Sequence, residues 1–222
     1  MSAPRSPTIA AGTDFDHHVI ATPAELAQSL ARLVTEDAVS LDFLSAQGCG
    51  ELLAASRTLT YREARPVIGE GERAVRQDFE ICMPVPDASP FHECRDVLER
   101  LLDRALAVMP TPPLDAAPRL NDLVVQRYPV GSLGITAHRD HIRYRDLVAI
   151  VTIAGRARFF ISSDRSGENA REVPIPSGSL LLMRAPGFAG REDRPFHFLN
   201  EVGEARVCLG LRHDVRSESG SG

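Results

Sequence analysis

Tryptophan and lysine are both missing from this chain, so its 25 basic residues are all arginine. Without lysine, every mechanism that needs a side-chain amine is excluded, from Schiff-base chemistry to a Walker-type phosphate loop. Without tryptophan, and with only Tyr61, Tyr128 and Tyr144 as tyrosines, the chain is short of the platforms on which a flipped base stacks. Cysteine is also sparse. Cys49, Cys82, Cys94 and Cys208 are scattered with no CxxC spacing, which predicts buried free thiols in a reducing compartment. No apolar run approaches membrane-spanning length, and Met1-Ser-Ala-Pro-Arg-Ser-Pro7 lacks the layout of a signal peptide. The expectation is a cytoplasmic protein with no membrane partner.

What is present is an ordinary globular composition, 43% hydrophobic and 25% charged over 222 residues, the length of one domain. The net charge of −5 is uneven. Residues 127 to 165 carry seven arginines against three aspartates, whereas residues 1 to 126 are strongly acidic. The chain is not a basic nucleic-acid platform, although its middle could attract an anion. No feature of the sequence sets an oligomeric state.

Residues 1–18, rich in Pro, Ser, Thr and Ala, are expected to be loosely held, as is the tail 216–222. A single domain is expected over 19–215, with helical support and a lid in 19–118 and a β core in 119–215. Thr22-Pro23-Ala24-Glu25 is a capping box with proline at the first helical position, followed by Leu26, Leu30 and Leu33 at helical spacing. Further helices are predicted from Ser45 and from Ser89-Pro90. Between them Thr58–Tyr61 and Val75–Met83 read as strands around Gly69-Glu70-Gly71, a candidate hairpin or lid. After Pro118 come short strands at 123–128, 135–138, 147–153, 156–162, 171–175, 179–184 and 206–212. Turn residues separate them, among them Ala154-Gly155. The fold class is α+β, mainly β: a jelly-roll (double-stranded β-helix) core with N-terminal helices on one sheet.

His138-Arg139-Asp140 ends a predicted strand, and pleat alternation puts His138 and Asp140 on one face with Arg139 on the other. One imidazole and one carboxylate, joined by a second histidine, make the two-His-one-carboxylate set that holds Fe(II) and leaves coordination positions open. His197, 59 positions later, is the candidate for that second histidine; its bland alternative is a surface or core histidine. Arg206 and Arg212 share a face of the last strand by period-2 counting. An arginine fork binds a carboxylate bidentately, and two inward arginines are costly unless an anion neutralises them. An exposed edge strand would show the same alternation.

Taken together, Gln126-Arg-Tyr128-Pro-Val-Gly131, His138-Arg-Asp140, Ser177-Gly-Ser-Leu-Leu-Leu-Met183, His197 and Arg206-Val-Cys-Leu-Gly-Leu-Arg212 resemble the AlkB-like branch of the Fe(II)/2-oxoglutarate-dependent dioxygenases. The resemblance covers about 95 residues, 119 to 214. The spacing of nine from His197 to Arg206 also resembles prolyl-hydroxylase-like relatives. The resemblance implies that His138, Asp140 and His197 are iron ligands and that Arg206 pairs with the distal carboxylate of 2-oxoglutarate. It further implies that Arg212 lies near the keto-acid end and that Tyr128 hydrogen-bonds the cosubstrate. Gln126 stands where the branch has asparagine. With Fe(II), 2-oxoglutarate and O2 the products would be succinate, CO2 and an oxidised substrate.

The expected substrate is a small molecule, with Tyr61 and Arg76 of the lid as its contacts. The alternatives are oxidative demethylation of alkylated nucleic acid, or a cupin-like metal-binding protein or isomerase without 2-oxoglutarate. The cupin-like alternative accounts for the HxD and the strands but not for Arg206, Arg212 and Tyr128 together.

Overall fold

The computed structural model describes residues 15–216. Three helices, α1 (Pro23–Leu33), α2 (Ala46–Ser56) and α3 (Pro90–Ala107), form where the caps predict them. Thr22 and Glu25 close their capping box reciprocally, satisfying two of the helix's otherwise unpaired amides. The strands in chain order are β1 (Ala38–Asp42), β2 (Arg62–Glu63), β3 (Val67–Ile68), β4 (Val75–Asp78), β5 (Glu80–Cys82), β6 (Asp122–Tyr128), β7 (Gly134–His138), β8 (Tyr144–Ser162), β9 (Arg171–Val173), β10 (Ser179–Arg184) and β11 (Phe196–Asp214).

Two 19-residue strands organise the sheets. The first part of β8 pairs with β10 and with the end of β11, giving the order β1-β10-β8-β11-β6-β5-β2. Their other halves pair with each other again, with β9 flanking β8 and with β7, β4 and β3 flanking β11. The result is two antiparallel layers that share two bent strands.

Period-2 alternation then separates two cores. Leu147, Ala149, Val151, Leu180, Leu182, Leu209 and Leu211 face the helices and pack with Leu26, Leu30, Phe91 and Leu98. Val148, Leu181, Met183, Tyr128 and Cys208 face inward and meet Phe159, Ile161, Val173 and Leu199 of the second layer. All six residues of β10 are buried because both of its faces are covered. Cys82, Cys94 and Cys208 are buried free thiols, and Cys49 is half-buried. No helix among the described residues is long and apolar enough to cross a membrane.

The structure departs from the sequence expectation in five places. Thr58–Tyr61 is a turn and coil, and the hairpin around Gly69–Gly71 is made by β3 and β4 instead. The strand expected at 171–175 stops at Val173. Ala154-Gly155 does not end a strand: β8 runs through it, since Gly155, at φ +84°, bends the strand without ending its pairing with β11. Likewise β11 begins at Phe196, ten residues before the expected start, and crosses its own bend through register shifts between Asn200 and Cys208. At the N-terminus, residues 1–14 lie outside the described residues, but 15–18 are not loose. Phe15 and His18 are each 1% exposed, and the His18 ring nitrogen sits 2.8 Å from Glu51.

The bend at Gly155 admits no side chain, because a Cβ there would lie 2.1 Å from the Ala205 carbonyl oxygen. Gly155→Ala is expected to destabilise the protein by about 3 kcal/mol or more, combining overlap with a left-handed backbone. Gly50, inside α2 with nothing within 4 Å of a built Cβ, is the contrasting position. Gly50→Ala should stabilise by about 0.5–1 kcal/mol. Urea midpoints of the two variants test both signs.

Candidate metal and cosubstrate site

His138 is the last residue of β7 and His197 the second of β11, and the two are direct cross-strand partners. The next pair along is Leu199 with Ile135, so two steps on β11 face three on β7. This bulge turns His138 to the same inner face as Ile135, which packs in the inter-layer core. Asp140 lies beyond the strand end, so pleat alternation does not place it; the loop after β7 carries it in. The ligating atoms of His138, Asp140 and His197 all lie within 4.8 Å of one another.

Backbone carbonyls fix the imidazoles. His138 Nδ1 lies 2.9 Å from the Thr136 oxygen and His197 Nδ1 3.5 Å from the Pro195 oxygen, which leaves both Nε2 atoms as lone-pair donors. Burial lowers the pKa of His197 to about 3, helped by the neighbouring His138, and burial lowers His138 as well. Burial alone would raise Asp140, but Arg212, His197 and His138 outweigh it and hold the carboxyl at about 2. Neutral imidazoles and an ionised carboxylate are the protonation states a divalent metal requires. Oδ2 of Asp140 is buried without a hydrogen-bond partner, 3.6 Å from Arg212 Nε. The donor set fits Fe(II).

Deeper between the layers lies Arg206, 2% exposed. Its Nη1 donates to Cys208 Sγ at 2.9 Å and its Nη2 to Thr152 Oγ1 at 3.3 Å, while Nε has no partner. Its guanidinium lies 5.4 Å from the Tyr128 ring centroid. No carboxylate pairs with Arg206 among the described residues. Arg212, in contrast, sits between Asp122 at 3.5 Å and Asp140 at 3.6 Å, and these acids hold it protonated against the effect of burial. Burial, with Cys208 beside it, raises Tyr128 and keeps its hydroxyl a donor. Gln126 accepts from Cys208 Sγ at 3.5 Å.

The structure therefore brings seven sequence-selected residues to one interior: His138, Asp140, His197, Arg206, Arg212, Tyr128 and Gln126. It separates the other two. Tyr61 packs against the helix-side core under Arg127, 4.3 Å from its ring, on the opposite face of the β6 sheet. Arg76 lines an open groove of about 540 Å³ with Thr136, Phe198, Asn200 and Arg165. Thr152 and Cys208 escaped notice in the sequence. The period-2 counting that paired Arg206 with Arg212 also puts Cys208 on that face, whereas Thr152 is brought there only by the fold.

No family model and no curated protein matches the chain. Solved structures do. A prolyl hydroxylase from Trichoplax adhaerens, in complex with a hypoxia inducible factor oxygen degradation domain peptide fragment, aligns with a TM-score of 0.62 at 13% identity. That alignment covers 90% of this chain and 94% of the other. A Pseudomonas putida prolyl-4-hydroxylase aligns with a TM-score of 0.57 at 17% identity, over 85% and 98% of the two chains. A 2OG-Fe(II) oxygenase family protein from Burkholderia pseudomallei gives 0.55 at 13%, over 85% and 90%. The fold is that of the 2-oxoglutarate Fe(II) oxygenases. At these identities the likeness is one of fold, and it extends to the helices as well as the jelly-roll.

The buried histidines make the metal-free protein sensitive to acid. An unfolded chain protonates His197 near its ordinary value of 6.5, while the folded one does so only near 3. Stability is therefore complete above about pH 6.5 and falls as pH drops through that window. His197→Gln should remove on the order of 2 kcal/mol of the stability lost between pH 7 and pH 5. Urea unfolding at the two pH values, with chelator present, measures it. Equal losses in both proteins would refute the assignment.

Proposed function

We propose that this protein is a non-haem Fe(II)- and 2-oxoglutarate-dependent dioxygenase that oxidises a C–H bond of a small molecule. The observation that carries the reading is Arg206. An arginine buried between two sheets without a counter-charge costs several kcal/mol unless an anion joins it. A polar floor of Thr152, Cys208 and Tyr128 surrounds it, and the metal donors lie in the same interior. A dicarboxylic keto acid meets both demands, with its distal carboxylate at Arg206 and its keto-acid end toward the metal and Arg212. A cupin-like isomerase without 2-oxoglutarate gives Arg206 no role.

When bound, Fe(II) supplies O2 activation, so that 2-oxoglutarate becomes succinate and CO2 and the second oxygen atom oxidises the substrate. The residues around it orient and exclude. His138, Asp140 and His197 would hold the metal on one face. Arg212 holds Asp140 ionised, and the Phe159 ring of the second layer stacks beside that of His197, 5.8 Å away, and adds an apolar wall to the site. Hydroxylation is the default outcome of this arrangement.

The AlkB-like branch rests on the sequence motifs alone; the solved structures named above are two prolyl hydroxylases and a further oxygenase. Charge pairing supports a small molecule over nucleic acid. Arg127, Arg143, Arg145, Arg156 and Arg158, five of the seven arginines in the basic middle segment, are neutralised by Glu80, Asp214, Glu192, Glu204 and the pair Glu172 and Glu201. In that segment only Arg139 and Arg165 are left without a carboxylate partner.

Two measurements test the reading. Anaerobic Fe(II) with 2-oxoglutarate should give a weak visible charge-transfer band that His138→Ala and Asp140→Ala abolish while circular dichroism stays unchanged. A normal band in both variants would overturn the ligand assignment. Arg206→Ala should weaken 2-oxoglutarate binding by at least about a hundredfold, corresponding to about 3–5 kcal/mol for truncating one partner of a buried charged pair. A larger loss in Arg212→Ala would reverse the two roles.

A further inference from the structure

Asp122 opens β6 and belongs to none of the sequence motifs. It lies directly opposite Arg212 in the ladder between β6 and β11. Alternation puts it on the same face of β6 as Gln126 and Tyr128, the face that looks between the layers. The residue is 6% exposed, so its charge has to be compensated in place.

The Arg212 guanidinium is bounded on several sides. Nη1 donates to Asp122 Oδ2 at 3.5 Å, Nε stands 3.6 Å from Asp140 Oδ2, and the Tyr144 ring centroid is 5.2 Å away. Gly210, two residues earlier on the same face of β11, leaves the space the guanidinium needs. A Cβ there would come within 3.3 Å of Nη1 and 3.1 Å of Val124 Cγ1. Other carboxylates close by are engaged, Asp214 with Arg143 at 2.8 Å and Asp146 with His213 at 2.7 Å. Among the described residues Asp122 and Asp140 are the only carboxylates paired with Arg212.

The two acids are not equivalent. Asp122 stands on a strand whose register with β11 is fixed by the ladder, whereas Asp140 stands on the loop after β7. Asp122 therefore holds the guanidinium, and the guanidinium faces the ligand carboxylate. One cation between two carboxylates also leaves one negative charge over. With Asp140 as its sole partner, Arg212 would be left buried without a counter-ion once a metal dication took that carboxylate, and this is the costly state. With Asp122 in place, Arg212 keeps a counter-ion while Asp140 serves the metal.

We infer that Asp122 is a positioning residue of the metal site that acts through Arg212, sharing the guanidinium so that Asp140 stays available to the metal. This rests on the reading of His138, Asp140 and His197 as the metal ligands, and it adds a residue that the ordered motifs do not contain.

The test reads metal affinity and not turnover. Co(II), an air-stable substitute for Fe(II), is titrated calorimetrically into the full chain at neutral pH without 2-oxoglutarate. Asp122→Asn, which removes the charge and keeps the shape, should weaken binding at least about tenfold. Asp122→Glu, which keeps the charge and changes the shape, should lose less than Asp122→Asn. In the Arg212→Gln background there is no guanidinium to share, and Asp122→Asn should change the affinity by less than about threefold. Unchanged affinity in Asp122→Asn, an equal or larger loss in Asp122→Glu, or an undiminished loss in the Arg212→Gln background would overturn the inference. Should Asp122→Asn fail to fold, the comparison in the Arg212→Gln background decides alone, because the double variant leaves no buried cation unpaired. Failure of the unsubstituted chain to bind Co(II), or binding that survives His138→Ala, would sink the metal-site reading itself and the inference with it.

Discussion

The pairing of β8 with β11 along both of their halves is the constraint on which the site depends. It places Arg206 beside Tyr128 through β6 and His197 beside His138 through β7, with the two arms joined at the bend by Gly155. One continuous strand thus carries a metal donor at its start and the anion-binding arginine nine residues on. Their separation is set by backbone geometry rather than by a flexible loop, and a site built on strands holds its spacing more closely than one built on loops. Asp140, Arg139, Arg165 and Arg194 lie on the loops that cap this frame.

Electrostatics then distinguishes the arginines. Most of those on the surface of the β core meet a glutamate or aspartate and contribute little beyond solubility. Arg212 is buried but compensated by Asp122 and Asp140, and in return it keeps Asp140 ionised. Arg206 is buried and uncompensated, and a fold retains such a residue only where a ligand supplies the missing charge. The cosubstrate reading therefore rests on one physical criterion, the absence of a counter-ion at a buried charge.

The inward orientation of His138 shows how a local irregularity completes the site. On a regular strand Ile135 and His138 would face opposite sides. The extra residue on β7 puts both on the inner face, where Ile135 packs in the core and His138 meets His197. The irregularity is used twice, since the Thr136 carbonyl within the bulge fixes the His138 tautomer and the Ala137 carbonyl receives Arg165.

The sequence by itself determined the helix starts, because caps and proline positions act over four residues. It also determined the existence of β6, β10 and the end of β11, because turn residues bound them and apolar side chains run through β10 and alternate in β11. Its ordered motifs, more than any single spacing, selected the residues of the metal and cosubstrate site. Only the tertiary structure decided where strands bend instead of ending, since Gly155 reads as a turn until Ala205 of a distant strand is seen against it. It alone joined Thr152 to Arg206 across 54 positions and set Tyr61 on the far side of a sheet from the metal. Which arginines lack a partner was likewise invisible in the chain. Counter-ions such as Glu192 for Arg145 and Glu204 for Arg156 come from distant positions, and a charge is uncompensated only with respect to neighbours in space.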